Sequence, residues 1–236
     1  SGQTISAQGI IHGGIKYTLG GLLTESARAI REMPALWRRC LSGGADPNLS
    51  DASVSAEFCH LWRTKSLSSK LGMVGARAGL RSGASKVPQE CLPEALGRCP
   101  GDVFRVDEQV VDTPSLLKVF ALRHQDRILK IDSANGLSFE LGGAGKVRSV
   151  RIANPTNGQW LELQPATVVM VKGRLPNLFG HCVDGPKTRA TITSSTDAHG
   201  LTVWQVGGQI SEDGVVMNEP SLIAHAQKDL SEVLPG

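Results

Sequence analysis

The spacing of hydrophobic positions changes twice along the chain. A first helical stripe runs through Leu22, Leu23, Ala27, Ile30, Leu36 and Trp37 and predicts a helix over 22–41, with Pro34 as a kink or boundary. Over 58–89 the apolar residues Leu67, Leu71, Val74 and Ala78 oppose Arg63, Lys70 and Arg77, which recur every seven residues. That pattern predicts a basic amphipathic helix, centred on 61–81 and loosened by Gly72, Gly75 and Gly79. Loops are expected at 42–51 and 82–101, where Gly, Pro, Asp and Ser collect. A strand over 103–111 then meets Asp112-Thr113-Pro114, a helix start with a capping side chain and a first-turn proline. A helix over 115–124 and a short strand over 127–132 complete a βαβ rhythm. Beyond 138 the period shortens to two. Strands are expected at 146–153 and 159–163, joined by an Asn157-Gly158 turn, and at 167–172, 188–193 and 201–206. A last amphipathic helix is expected over 220–233.

Composition narrows the class. The chain has 236 residues, 40% of them apolar and 20% charged, which is ample for a buried core and unlike a disordered segment. No apolar run is long enough to span a bilayer. The net charge of +3 is too small for an electrostatic grip on nucleic acid, and one Tyr, five Phe and four Trp give few stacking platforms. Five cysteines without a CxxC pair argue against a redox dithiol or zinc ribbon and suit reduced thiols in a cytoplasmic setting. The first 30 residues lack the basic and apolar regions of a signal peptide, and the Ser1-Gly2 start reads as a processed one.

Several chemistries lack their residues. No GxSxG elbow occurs. Gly142–Lys146 has the wrong spacing for a phosphate loop, with Val147 where a magnesium-binding hydroxyl would stand, and is read as a hairpin turn. The six histidines form no closely spaced ligand set, so no metal is expected. His181 and Cys182 are adjacent, and on a strand their side chains face opposite ways, which makes them a poor catalytic dyad.

The glycine-rich opening, Ser1-Gly2-Gln3-Thr4-Ile5-Ser6-Ala7-Gln8-Gly9-Ile10-Ile11-His12-Gly13-Gly14-Ile15-Lys16-Tyr17, carries a sharper signal. It resembles a flavin-contacting segment of the FAD-dependent glycerol-3-phosphate dehydrogenase and D-amino-acid oxidase superfamily. There a hydroxyl-rich loop leads into an Ile-His-Gly-Gly turn and then an aromatic residue. Val111–Leu117, Thr191–Ser194 and Thr202–Gly208 resemble further stretches of that superfamily more weakly. The family's GxGxxG loop, which seats the cofactor pyrophosphate on a helix N-terminus, has no counterpart in this sequence. Neither has its Ala/Thr-Gly turn, because Thr167-Val168-Val169 continues into Met170-Val171-Lys172-Gly173. The resemblance therefore implies part of a longer flavoprotein.

The implied fold is mixed α/β: an incomplete Rossmann-like FAD-binding domain over 1–136 with a helical insertion, an antiparallel substrate domain over 137–210, and a C-terminal helix over 211–236. The implied cofactor is FAD. Ser1, Thr4, Ser6, Gly9, His12, Gly13 and Gly14 are the implied contacts, the hydroxyls to cofactor oxygens and the glycines for close backbone approach. His12 is the leading catalytic residue, to orient the flavin or accept a proton, with Tyr17 facing the substrate. Arg189 is preferred over Lys172 and Arg174 for holding a substrate carboxylate or phosphate. The implied reaction moves a hydride from a small hydroxy or amino compound to flavin, with a quinone or oxygen as final acceptor. A second reading is a non-catalytic module that docks on a membrane surface or a partner through the basic helix at 61–81.

Overall fold

The computed structural model describes residues 7–14, 30–66, 84–127, 137–141, 147–152, 161–162, 168–184 and 187–235. Its centre is a seven-stranded sheet. Seven strands build it: β2 (Cys59–Arg63), β3 (Ala84–Lys86), β4 (Phe104–Val106), β9 (Val169–Gly173), β10 (Gly180–Asp184), β11 (Lys187–Thr196) and β12 (Thr202–Gly207). Their order across the sheet is β3-β4-β2-β10-β11-β12-β9. Within it β2 and β10 run parallel, with Gly180 opposite His60, and every other neighbouring pair is antiparallel. Val54–Ala56 (β1) and Val110–Val111 (β5) form a separate antiparallel pair. Leu137–Leu141 (β6), Val147–Ile152 (β7) and Leu161–Glu162 (β8) form a three-stranded antiparallel sheet.

One sheet face is closed by helices. Here α3 (Gln209–Gly214), α4 (Glu219–Val233) and the turn at Glu94–Leu96 bury Trp62, Cys182, Ala190, Ile192, Trp204 and Val206. The Trp62 indole N–H donates to the Val233 carbonyl at 2.9 Å, tying the sheet to the end of α4. On the other face Cys59, Leu61, Phe104, Val106, Val110 and Val183 pack with Ile10. A third cluster joins α1 (Met33–Leu41) and α2 (Thr113–Arg123) through Cys40, Leu49, Leu116 and Val119, and Ile11 packs against it.

The sequence expectations fare unevenly. The Asp112 carboxylate accepts from the Ser115 N–H at 2.8 Å, so the capped start of α2 stands. The Asn218 cap places α4 close to its expected span. The strands flanking 142–146 pair antiparallel, as a hairpin turn there requires, and β7 pairs antiparallel with β8, as the turn expected at 154–158 requires. Of kink and boundary, Pro34 is the boundary: it lies in the first turn of α1, where its missing N–H costs nothing, and 22–29 of the expected helix lie outside the described residues. The expected strand at 103–111 is two strands interrupted at 107–109.

The basic helix needs the largest correction. Cys59–Arg63 and Ala84–Lys86 are strands, so Arg63 shares no helical face with Lys70 and Arg77. Cys59, Leu61 and Trp62 are wholly buried, and a strand covered on both faces loses the two-residue alternation that would have marked it. The remainder of that expected helix, 67–83, lies outside the described residues, as does the 128–132 part of the expected βαβ strand. Among the described residues the architecture is mixed α/β, as expected, and mainly antiparallel, with β2 and β10 as its parallel pair.

Candidate functional site

The segment 8–14 crosses between the sheet and the β1/β5 pair. Ile10 bridges Val110, the Val111 N–H donates to the Gly9 carbonyl at 2.9 Å, and the Ile11 N–H donates to the Gln109 carbonyl at 2.8 Å. The Gln8 side-chain amide donates to the carbonyls of Thr191 and Gln205, both at 2.8 Å. Gly9 sits at φ +70°, and a Cβ there would lie 2.1 Å from the Val111 carbonyl oxygen. Only glycine meets both conditions. Gly9→Ala is expected to lower stability by roughly 1–3 kcal/mol, read by urea unfolding of the full-length protein.

This bridging delivers His12 to a buried carboxylate. Glu108 lies in the interruption between β4 and β5 and its side chain is 2% exposed. Its Oε1 accepts from the Gly13 N–H at 2.8 Å. Its Oε2 lies 3.0 Å from His181 Nε2 and 3.4 Å from His12 Nδ1. His181 is held from its other side, with Nδ1 3.0 Å from the Thr191 hydroxyl. The His12 and His181 rings are 5.6 Å apart, centroid to centroid. Burial pushes the Glu108 carboxyl up; the hydrogen bonds from His12 and His181, with the attraction of both rings, outweigh it and hold the group well below the usual carboxylate range. The carboxylate is thus kept ionised within a buried layer that also holds the polar His181 and Thr191. The His12 side chain is 30% exposed, so the ring stands at the edge of this layer.

The other expected site residues divide three ways. Gly9, Gly13 and Gly14 lie in the same segment as His12, while Ser1, Thr4, Ser6 and Tyr17 lie outside the described residues. Arg189 is elsewhere. Cys182 pairs with Ala190 but Val183 pairs with Thr188, so Arg189 is the extra residue of a bulge in β11. Its guanidinium meets Asp229 of α4 at 2.5 Å, and that carboxylate is 2% exposed. His225 Nε2 lies 3.3 Å from the second oxygen of Asp229. Arg189→Gln strips a buried carboxylate of its cation and is expected to cost about 3 kcal/mol by urea unfolding. Lys172 pairs with Asp197 at 2.5 Å at the surface, and Arg174 is exposed. His181 and Cys182 do face opposite ways: His181 meets Glu108, whereas Cys182 is buried in the helix-covered core, where burial pushes its thiol up.

Glu108 was not singled out from the sequence, and His181 was weighed only beside Cys182 and set aside as a poor dyad. Seventy-three residues separate them, and no local spacing links either to His12. The weak clue to Glu108 was a run of charge and amide, Asp107-Glu108-Gln109, inside an apolar stretch.

No family model matches the chain. Aligned over 258 residues, 99% of this chain is 34% identical to a probable FAD-dependent oxidoreductase, PA4991, of Pseudomonas aeruginosa. The crystal structure of PA4991 superposes on 100% of the chain with a TM-score of 0.66 and 28% identity. The chain belongs to the family of PA4991. It spans 66% of the curated length of PA4991 and 64% of its solved chain. An L-proline dehydrogenase from P. horikoshii (TM-score 0.54, 9% identity, 68% of that chain covered) shares the fold of this family member. So does a glycine oxidase from Geobacillus kaustophilus (TM-score 0.53, 11% identity, 69% covered). Among the described residues, no helix is long and apolar enough to cross a membrane.

Proposed function

We propose that this chain is the greater part of an FAD-dependent enzyme that oxidises a C–H bond bearing an amine in a small amino acid. The observation that carries the reading is His12, presented at the edge of a buried, hydrogen-bonded carboxylate by a segment with the Ile-His-Gly-Gly pattern. The full-length relative is named as FAD-dependent, and the names of two solved relatives place an amine nitrogen beside the bond they oxidise. A hydroxy compound as substrate finds no such support among these relatives.

The donor set fits one part of the cofactor. Gly9 packs on the Val111 carbonyl and Gly13 on Pro34, so the group the segment leaves open is the partly exposed His12 imidazole at its edge. We assign to 8–14 the flavin ring rather than the pyrophosphate, for which the sequence has no GxGxxG loop. FAD, when bound, accepts the hydride. The chain's own residues do the rest. Gly9 and Gln8 fix the segment, Glu108 fixes the His12 ring through Nδ1, and His12 Nε2 is left to orient the substrate or take its N–H proton. Ser1, Thr4 and Ser6 are assigned to cofactor oxygens and Tyr17 to the substrate side. The final acceptor is assigned as oxygen or a quinone.

The test is anaerobic mixing of the full-length protein with glycine, sarcosine, L-proline and glycerol 3-phosphate. Bleaching of the oxidised flavin bands by an amine, and not by glycerol 3-phosphate, is the expected result. Bleaching by glycerol 3-phosphate alone contradicts the amine assignment. The membrane-docking reading, placed on a helix over 61–81, loses its helical basis at 61–63, which lie in a strand, while 67–81 lie outside the described residues.

A further inference from the structure

His12, Glu108 and His181 have a second reading that does not depend on the flavin. Each offers one ligand atom, Nδ1, Oε2 and Nε2, and the three atoms lie within 4.8 Å of one another. Two imidazole nitrogens and a carboxylate oxygen are the donor set that zinc and its first-row neighbours prefer. Bonds of about 2.0–2.1 Å at tetrahedral or octahedral angles place neighbouring donor atoms roughly 3.0–3.4 Å apart. The observed separations from Glu108 Oε2 are 3.0 Å to His181 and 3.4 Å to His12.

The surroundings match as well. A metal-bound histidine needs its other nitrogen held, and a metal-bound carboxylate needs its free oxygen held. His181 Nδ1 meets the Thr191 hydroxyl, and Glu108 Oε1 accepts from the Gly13 N–H. His181 and Glu108 are buried at 5% and 2% side-chain exposure, while His12 is 30% exposed. That contrast gives a rigid pair of donors within the fold and a third at its edge, where an ion can enter.

We propose that His12, Glu108 and His181 bind a divalent transition metal ion of the zinc type, with the remaining coordination positions on the open side of His12. The three ligands come from the 8–14 segment, the β4/β5 interruption and β10, so the ion would clasp three separate parts of the chain.

The test uses full-length protein stripped with EDTA and then dialysed against Zn²⁺ or Co²⁺, with bound metal measured by inductively coupled plasma mass spectrometry. About one Zn²⁺ per chain is expected to be retained, with ligand-field bands in the Co²⁺ form. His181→Gln and His12→Gln should each weaken retention at least 10-fold while the far-ultraviolet circular dichroism is unchanged. His12 is partly exposed, so its variant remains informative if His181→Gln fails to fold. Zinc should also raise the melting temperature of the wild type and not of His12→Gln. Sub-stoichiometric retention in the wild type, or retention equal in wild type and His12→Gln, overturns the proposal. Flavin content, read from the same samples, reports separately on the oxidoreductase reading.

Discussion

Glu108→Ala is expected to destabilise the full-length protein by about 3–5 kcal/mol in urea unfolding with EDTA present. The substitution removes the acceptor for the Gly13 N–H and for both imidazoles, and it leaves His181 buried with one side unpaired. Glu108→Gln retains an acceptor oxygen and an isosteric side chain, so its expected loss is smaller, about 1–2 kcal/mol. The ordering of the two variants is the informative quantity. Equal losses would show that the negative charge of Glu108 is its whole contribution, and that the volume and the acceptor oxygen glutamine retains contribute nothing.

Trp62→Ala is expected to cost about 3–5 kcal/mol by the same measurement. Trp62 is wholly buried in the helix-covered core, and its indole N–H holds the last turn of α4 through the Val233 carbonyl. Truncation leaves a cavity and frees that tie together. Because α4 also carries Asp229, the partner of Arg189, the loosening should extend along the helix. Hydrogen exchange should therefore quicken through Glu219–Val233 more than through Thr113–Arg123, which packs in a different cluster. A loss under about 1 kcal/mol, the range of a surface substitution, would contradict this account of the core.

The sequence made some elements legible for local physical reasons. Asp112-Thr113-Pro114 declares α2 because capping and the first-turn proline are properties of four consecutive residues. The hairpin around 142–146 and the alternation of β11 and β12 were readable in the same way. Cys59–Arg63 was not. A strand buried on both faces offers no alternation, and the charges at 63, 70 and 77 imitated a helical stripe. β10 was also missed, because its segment Gly180–Asp184 is short, opens on glycine and histidine and ends on aspartate.

The site was legible only on its local side. His12 stood out through the residues around it. Glu108 and His181 join it through β4, β5 and β10, and pairings between distant strands leave no spacing to read. Arg189 drew attention as a forked cation at the start of a strand, but the bulge at Cys182/Val183 turns it to Asp229 on the helix-covered side. A single-residue slip of register of that kind reverses a side chain's face and is invisible in the strand's own composition.

The central claim is that the segment carrying His12 serves a bound flavin. Its most direct test is the cofactor content of the full-length protein, purified without added flavin, beside that of Gly9→Ala. The account predicts about one FAD per chain in the wild type and a clear loss in the variant, whose bridging segment cannot keep its place. A wild type that is colourless and cannot be reconstituted with FAD would contradict it, as would full flavin content in a Gly9→Ala protein that has lost the contacts of residues 8–14.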